Sequence, residues 1–190
     1  YRSQSNKPSF KFSIVKGETI RGYYHFESYA SEKGSLGASC MKHDNCQDYM
    51  SIYVDNREQV KMLAMLNQDG RLMGRALLWN FDSYKIMDRI YTTLDADVEL
   101  FKQFAEKNGW WYKKRQSMEP DENFTDGNSV RKGTIEVKLD DADFSEYPYC
   151  DTICYINSDT GTACNVYWDD SDRLLRDTGG SYEDSYDMAN

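Results

Sequence analysis

The chain has little of several things, and each shortage excludes something. No run of apolar residues approaches the roughly 20 needed to cross a bilayer as a helix. Only 23 Lys and Arg stand against 32 Asp and Glu, a net charge of −9. A nucleic-acid backbone is therefore not the expected partner, because phosphate binding concentrates basic side chains. The 3 prolines form no Pro/Ser-rich linker that would split the chain. The first residues lack the apolar core of a secretion signal. The 5 cysteines cannot all pair within one chain, so free thiols in a reducing cytoplasm are expected. Of the 2 histidines, His25 and His43, neither has a neighbour that fixes a catalytic role.

What remains is a chain of 190 residues, 39% hydrophobic and 29% charged, long enough to bury a core as a soluble domain. Its organising stretch runs from Gln59 to Tyr91. Val60–Leu66, Arg71–Trp79 and Ser83–Tyr91 read as three antiparallel strands. The first two are joined by Asn67-Gln68-Asp69-Gly70, a turn whose Asp-Gly supplies the backbone geometry of a tight hairpin. Phe10–Val15 alternates as a strand, and Thr19–Tyr29 has helical spacing. Ala30–Ala38 is a Gly/Ser-rich loop, and Cys40–Tyr53 reads as a helix burying Cys46, Tyr49, Met50 and Tyr53. A helix capped by Asp95 carries Val98, Phe101 and Phe104 and stops at Asn108-Gly109, before a strand at Trp110–Lys113. Thr134–Leu139 is a half-exposed strand. Pro148–Asn157 and Thr162–Trp168 flank a second hairpin turn. These elements predict one α+β domain over residues 1–168, a mainly antiparallel central sheet with packed helices, followed by an acidic flexible tail over 169–190.

Three constellations bear on chemistry. Arg75, Asp88 and Arg89 sit inside otherwise apolar strands, where a charge is costly unless paired. Either Arg75 pairs with Asp88 or Glu99, or Arg75 and Arg89 floor a polar pocket that holds an anion, with Tyr91 beside them and Asp151 and Thr152 on a neighbouring segment. The loop Gly34–Ser39, with Ser35 and Ser39, leads into a helical turn whose amides could meet an anion, but it lacks the Lys-Ser or Lys-Thr of a phosphate loop. Cys40, His43 and Cys46, joined by Cys150, Cys154 or Cys164, are the candidate zinc ligands. Their spacing is not that of a zinc knuckle, and core packing is the expected role of these cysteines. No metal or cofactor is expected. Aromatics at 14%, with 15 tyrosines, together with the acidity suggest a wet, protein-binding surface.

Two resemblances follow from these residues. The order strand, Asp-Gly turn, strand, strand, helix ending in Asn-Gly, strand over Val60–Lys113 resembles the core of the GCN5-related N-acetyltransferase (GNAT) fold. That family grips coenzyme A with an Arg/Gln-x-x-Gly-x-Gly/Ala turn. The equivalent here, Thr92–Asp97, has no glycine and two acidic residues, so the resemblance implies the fold without the cofactor grip. The segments GSLGASCM, GRALLW, MDRIYT and YPYCDT resemble an uncharacterised family of tailed-bacteriophage proteins. That resemblance implies a viral accessory protein in the host cytoplasm or the virion. The expected function is binding of a host or viral protein through an acidic, tyrosine-rich surface. The alternatives are a divergent acyltransferase, with a pocket of Arg75, Asp88, Arg89 and Tyr91, and a virion structural protein.

Overall fold

In the computed structural model, residues 9–116 and 123–166 and the two-residue strand at 173–174 are described. The expected tail over 169–190 lies, apart from that strand, outside the described residues. In chain order the strands are β1 (Phe10–Val15), β2 (Val60–Asn67), β3 (Leu72–Asn80), β4 (Lys85–Thr92), β5 (Trp111–Lys113), β6 (Phe124–Thr125), β7 (Val130–Arg131), β8 (Glu136–Lys138), β9 (Tyr155–Asn157), β10 (Thr162–Cys164) and β11 (Arg173–Leu174). The α-helices are α1 (Glu18–Tyr24), α2 (Gly34–Gly37), α3 (Ser51–Asp55) and α4 (Val98–Lys107). The fold is α+β. Strands β1 to β7 form one sheet in sequence order, antiparallel throughout except for β4 and β5. A smaller antiparallel sheet has the order β11-β9-β10-β8.

The meander forms because its side chains alternate and its turn closes. Gly70 takes φ 77, and the Asn67 side chain accepts from the amides of Asp69 and Arg71. The alternation then gives the large sheet two dissimilar faces. On one, Leu63, Met65, Ala76, Leu78, Met87 and Ile90 pack under Phe101 and Ala105 of α4. On the other, Met62, Leu77, Trp79 and Ile86 meet Ile20, Tyr24, Ile52 and Tyr53, and the same apolar cluster continues into Val137, Ile156 and Ala163 of the small sheet.

One irregularity sets up the site. Ala76 pairs with Ile90 and Leu78 with Met87, so Leu77 alone faces both Asp88 and Arg89. This is a β-bulge in β4, which turns consecutive side chains toward one side of the sheet. The parallel pairing of β4 with β5 is also brief. It covers Ile86↔Trp111 and Met87↔Tyr112, after which the Ile90 amide donates to the Gln116 side chain instead.

Several expected elements differ. The helix begun at Glu18 ends at Tyr24, and extended backbone at His25 leads to a single 3₁₀ turn, Phe26–Ser28. The chain bends there because Tyr29 is drawn beside Leu72, where Ala30 donates to the Leu72 carbonyl and the Tyr29 hydroxyl donates to the Tyr24 carbonyl. The Gly/Ser loop contains α2. Cys40–Met50 is two 3₁₀ segments broken by extended His43, followed by α3. The Ser39 hydroxyl caps the first by accepting from the Met41 amide, as short polar side chains do in competition with a regular helix. Asp95 makes no cap: neither the 3₁₀ turn at Asp95–Asp97 nor α4 has a side-chain N-cap bond. Pro148–Cys154 is not a strand, so Cys150 and Cys154 do not share a strand face. Ile135, Val137 and Leu139 do alternate inward against exposed Glu136 and Lys138.

The short helix α2 is seated by close backbone contact. Gly34 has φ 68, and a Cβ there would run into the carbonyl oxygens of Thr92 and Thr93. Gly34→Ala adds left-handed strain and a backbone clash, so it is expected to cost about 2–4 kcal/mol. Urea unfolding would show a lower midpoint at unchanged slope. An unaltered midpoint would mean that α2 is not seated on the end of β4.

Candidate functional site

The face of the sheet opposite α4 is closed only in part by its apolar packing. A cavity of about 330 Å³ lies between β3, β4, α1, the segment from α2 to Met41, and the loop at Tyr149–Asp151. All six residues expected to bind a ligand, namely Ser35, Ser39, Arg75, Asp88, Arg89 and Tyr91, line it. Asp151 lines it too. Thr152, fully buried beside it, does not.

Arg75 is the centre. It occupies the middle of β3, opposite Ala64 on one side and Tyr91 on the other, and is 3% exposed. Its guanidinium lies 3.9 Å from the centre of the Tyr24 ring and 4.6 Å from that of Tyr91. Such ring contacts favour the cation and fix its plane. One terminal nitrogen donates to Ser39 Oγ at 3.0 Å. The Nε has no hydrogen-bond acceptor, and no carboxylate lies within ion-pair distance among the described residues. The expected pairing of Arg75 with Asp88 or Glu99 is not formed. Asp88, 4% exposed, instead accepts from the Trp79 indole at 3.0 Å and from the Arg89 amide at 2.7 Å, both neutral donors.

Arg89 and Asp151 make a second polar group at the cavity wall. Arg89 Nη1 is 3.6 Å from an Asp151 oxygen, and the Tyr91 hydroxyl donates to both Asp151 oxygens at 2.9 and 2.7 Å. Burial raises the Asp151 pKa above the usual carboxylate value, and the nearby charge of Asp88 raises it further, against the pull of the Tyr91 hydroxyl and Arg89. Burial also keeps Tyr24, Tyr53 and Tyr91 protonated, so these phenols offer donors and ring faces, not charge. Behind them the Tyr53 hydroxyl meets Cys150 Sγ at 3.0 Å.

Sequence reasoning missed Tyr24, Tyr53, Met41 and Leu77 as parts of the wall. Their helical and strand spacing signals only burial, and nothing in the sequence separates a cavity wall from a core. The zinc expectation does not assemble. Cys40 and His43 are exposed, Cys46 is buried beside the Cys40 carbonyl, and Cys150 lies against Tyr53. Among the described residues no group of three or more His, Cys, Asp or Glu is placed to hold a metal ion. None of the five cysteines, all among the described residues, forms a disulfide.

In the turn that would grip coenzyme A in an acetyltransferase, three of the six backbone amides, those of Thr92, Thr93 and Asp97, are engaged within the chain. The Thr92 amide donates to Ser35 Oγ at 2.9 Å, the Thr93 amide to the Met73 carbonyl and the Asp97 amide to the Leu94 carbonyl. Of the described tyrosines none is fully exposed: Tyr24, Tyr53, Tyr91 and Tyr149 face the cavity, while Tyr23, Tyr49, Tyr84 and Tyr155 are half-buried elsewhere. Trp110 and Tyr112 are buried and Trp111 is half-buried.

These features define an α+β domain with a charged, tyrosine-walled cavity on one face of its sheet. No protein-family profile and no curated protein matches the chain. No helix among the described residues is long and apolar enough to cross a membrane.

The raised Asp151 pKa has a consequence for stability. An acid whose folded pKa lies above its unfolded one adds stability below the unfolded value and loses it as the pH rises through the folded value. Asp151→Asn keeps an acceptor for Tyr91 and removes the charge. The variant is expected to melt at a higher temperature than the parent at pH 7. That gain should shrink as the pH falls toward about 4, the ordinary carboxylate value. A gain independent of pH across this window, in paired melting curves, would count against the assignment.

Proposed function

We propose that this protein binds a small anionic molecule, with the ligand's acidic group received by Arg75 in the β3–β4 cavity. The observation that carries this reading is Arg75 itself: a guanidinium 3% exposed, without a carboxylate partner among the described residues, in the wall of an open cavity. A buried cation left unpaired costs several kcal/mol, and a structural role would have been met by pairing it. Ser39 Oγ and the rings of Tyr24 and Tyr91 hold the guanidinium in place, which reduces the ordering needed when a ligand arrives. The volume suits a compact metabolite and falls near the lower end of known ligand cavities, about 300–1,000 Å³.

We put this ahead of docking through a tyrosine-rich surface, because none of the described tyrosines is fully exposed and four of them line the cavity. Against the acyltransferase alternative stand the missing glycines of Thr92–Asp97 and the engagement of its Thr92, Thr93 and Asp97 amides within the chain. The phage resemblance supplies the setting we propose for the binder, an infected cell or a virion.

Arg75→Met separates ligand binding from a structural role. Replacing a buried charge by an apolar chain of similar length is expected to leave unliganded stability unchanged or raise it by about 1–4 kcal/mol. The parent should show a dose-dependent rise in melting temperature with at least one member of a panel of carboxylates and phosphate esters, and the variant none. A variant that unfolds, alongside a parent that no anion stabilises, would assign Arg75 to the scaffold instead.

A further inference from the structure

We infer that the ligand of this cavity is dipolar, a compact amino acid or amino-acid-like molecule. Its acidic group would lie on Arg75 and its ammonium on Asp88. The inference rests on the anion-binding reading above and narrows it.

Two opposite charges line one cavity without meeting. Arg75 is 3% exposed and Asp88 4%. They stand on neighbouring strands, yet they are not within ion-pair distance. Each is held in place by neutral groups: Arg75 by Ser39 and two tyrosine rings, Asp88 by the Trp79 indole and the Arg89 amide. A carboxylate has about four lone-pair sites, and Asp88 uses one on each oxygen. It therefore retains acceptor capacity, as Arg75 Nε retains a donor.

Separated buried charges are the costly arrangement. Their desolvation is incurred twice, and the mutual attraction that would offset it is forgone. The fold enforces the separation through the bulge opposite Leu77, which sets Asp88 and Arg89 on the cavity side together. A molecule that carries both signs a few bonds apart restores both missing partners at once. An anion alone satisfies Arg75 and leaves Asp88 as a neighbouring negative charge that opposes it. The second carboxylate of the cavity, Asp151, is engaged by Arg89 and Tyr91. That leaves Asp88 as the acceptor for a ligand cation. The body of such a ligand would rest among Tyr24, Tyr53, Leu77 and Tyr149, so an amino acid with an apolar or aromatic side chain fits best.

The test is calorimetry of the full chain with the twenty free amino acids and, for each, the matching acid that lacks the amino group, such as phenylalanine against 3-phenylpropanoate. At least one amino acid is expected to bind about tenfold or more tightly than its deaminated acid, the discrimination of a buried charge-assisted contact. Asp88→Asn is expected to erase that preference by weakening the amino acid alone, whereas Arg75→Met weakens both members of the pair. If acids bind as tightly as their amino acids, the dipolar inference falls while the anion site stands. If no member of either series binds, the dipolar inference falls, and the anion site falls with it only when the phosphate esters of the earlier panel also fail to bind. The comparison within the parent protein decides the matter even if Asp88→Asn fails to fold.

Discussion

At Leu77 one residue of β3 faces two of β4, and the site depends on that mismatch. In a regular ladder Asp88 and Arg89 would point to opposite sides of the sheet, and one would enter the apolar layer under α4. The bulge spares that layer a charge and delivers both side chains to the other face. Trp79, two residues beyond Leu77, fixes the result by donating its indole hydrogen to Asp88.

The two faces of the large sheet divide the labour. Beneath α4 the packing is apolar, with Phe12 edge-on to Phe101 and close to Phe104. This side adds its hydrophobic stabilisation to that of the apolar cluster on the other face, and together they hold the meander in register. The opposite face accepts buried charge, partnerless nitrogens and a void, each of which lowers stability. Such a concentration of unfavourable features on one face of a sheet that is otherwise well packed is the usual mark of a site kept for binding. Helix α2 closes its rim, because Ser35 takes the Thr92 amide that would otherwise need an acceptor beyond the end of β4.

Much of this was legible in the residues. The Asp-Gly hairpin, the three central strands, the Asn-Gly stop after α4 and the strand β1 follow from alternation and turn chemistry, which are local. Arg75, Asp88 and Arg89 stood out because charge inside apolar strands is expensive wherever the strands go. The rest was hidden for a common reason. The bulge, the break at His25 and the irregular path of Pro148–Cys154 are set by contacts between segments far apart in the chain. The pairing of Arg75 with Asp88 was the natural guess from adjacency, and it fails because the cross-strand geometry gives each residue neutral neighbours. The tyrosines were harder to place: their number suggested an outer surface, and four of them, Tyr24, Tyr53, Tyr91 and Tyr149, line the cavity.

The bond between the Trp79 indole and Asp88 couples a fluorophore to the floor of the cavity. Indole emission responds to charge placed near the ring, and here a carboxylate is attached to its only polar atom. A cation placed at Asp88 would alter the field on that ring, so Trp79 is positioned to report it in the protein's own light without a label.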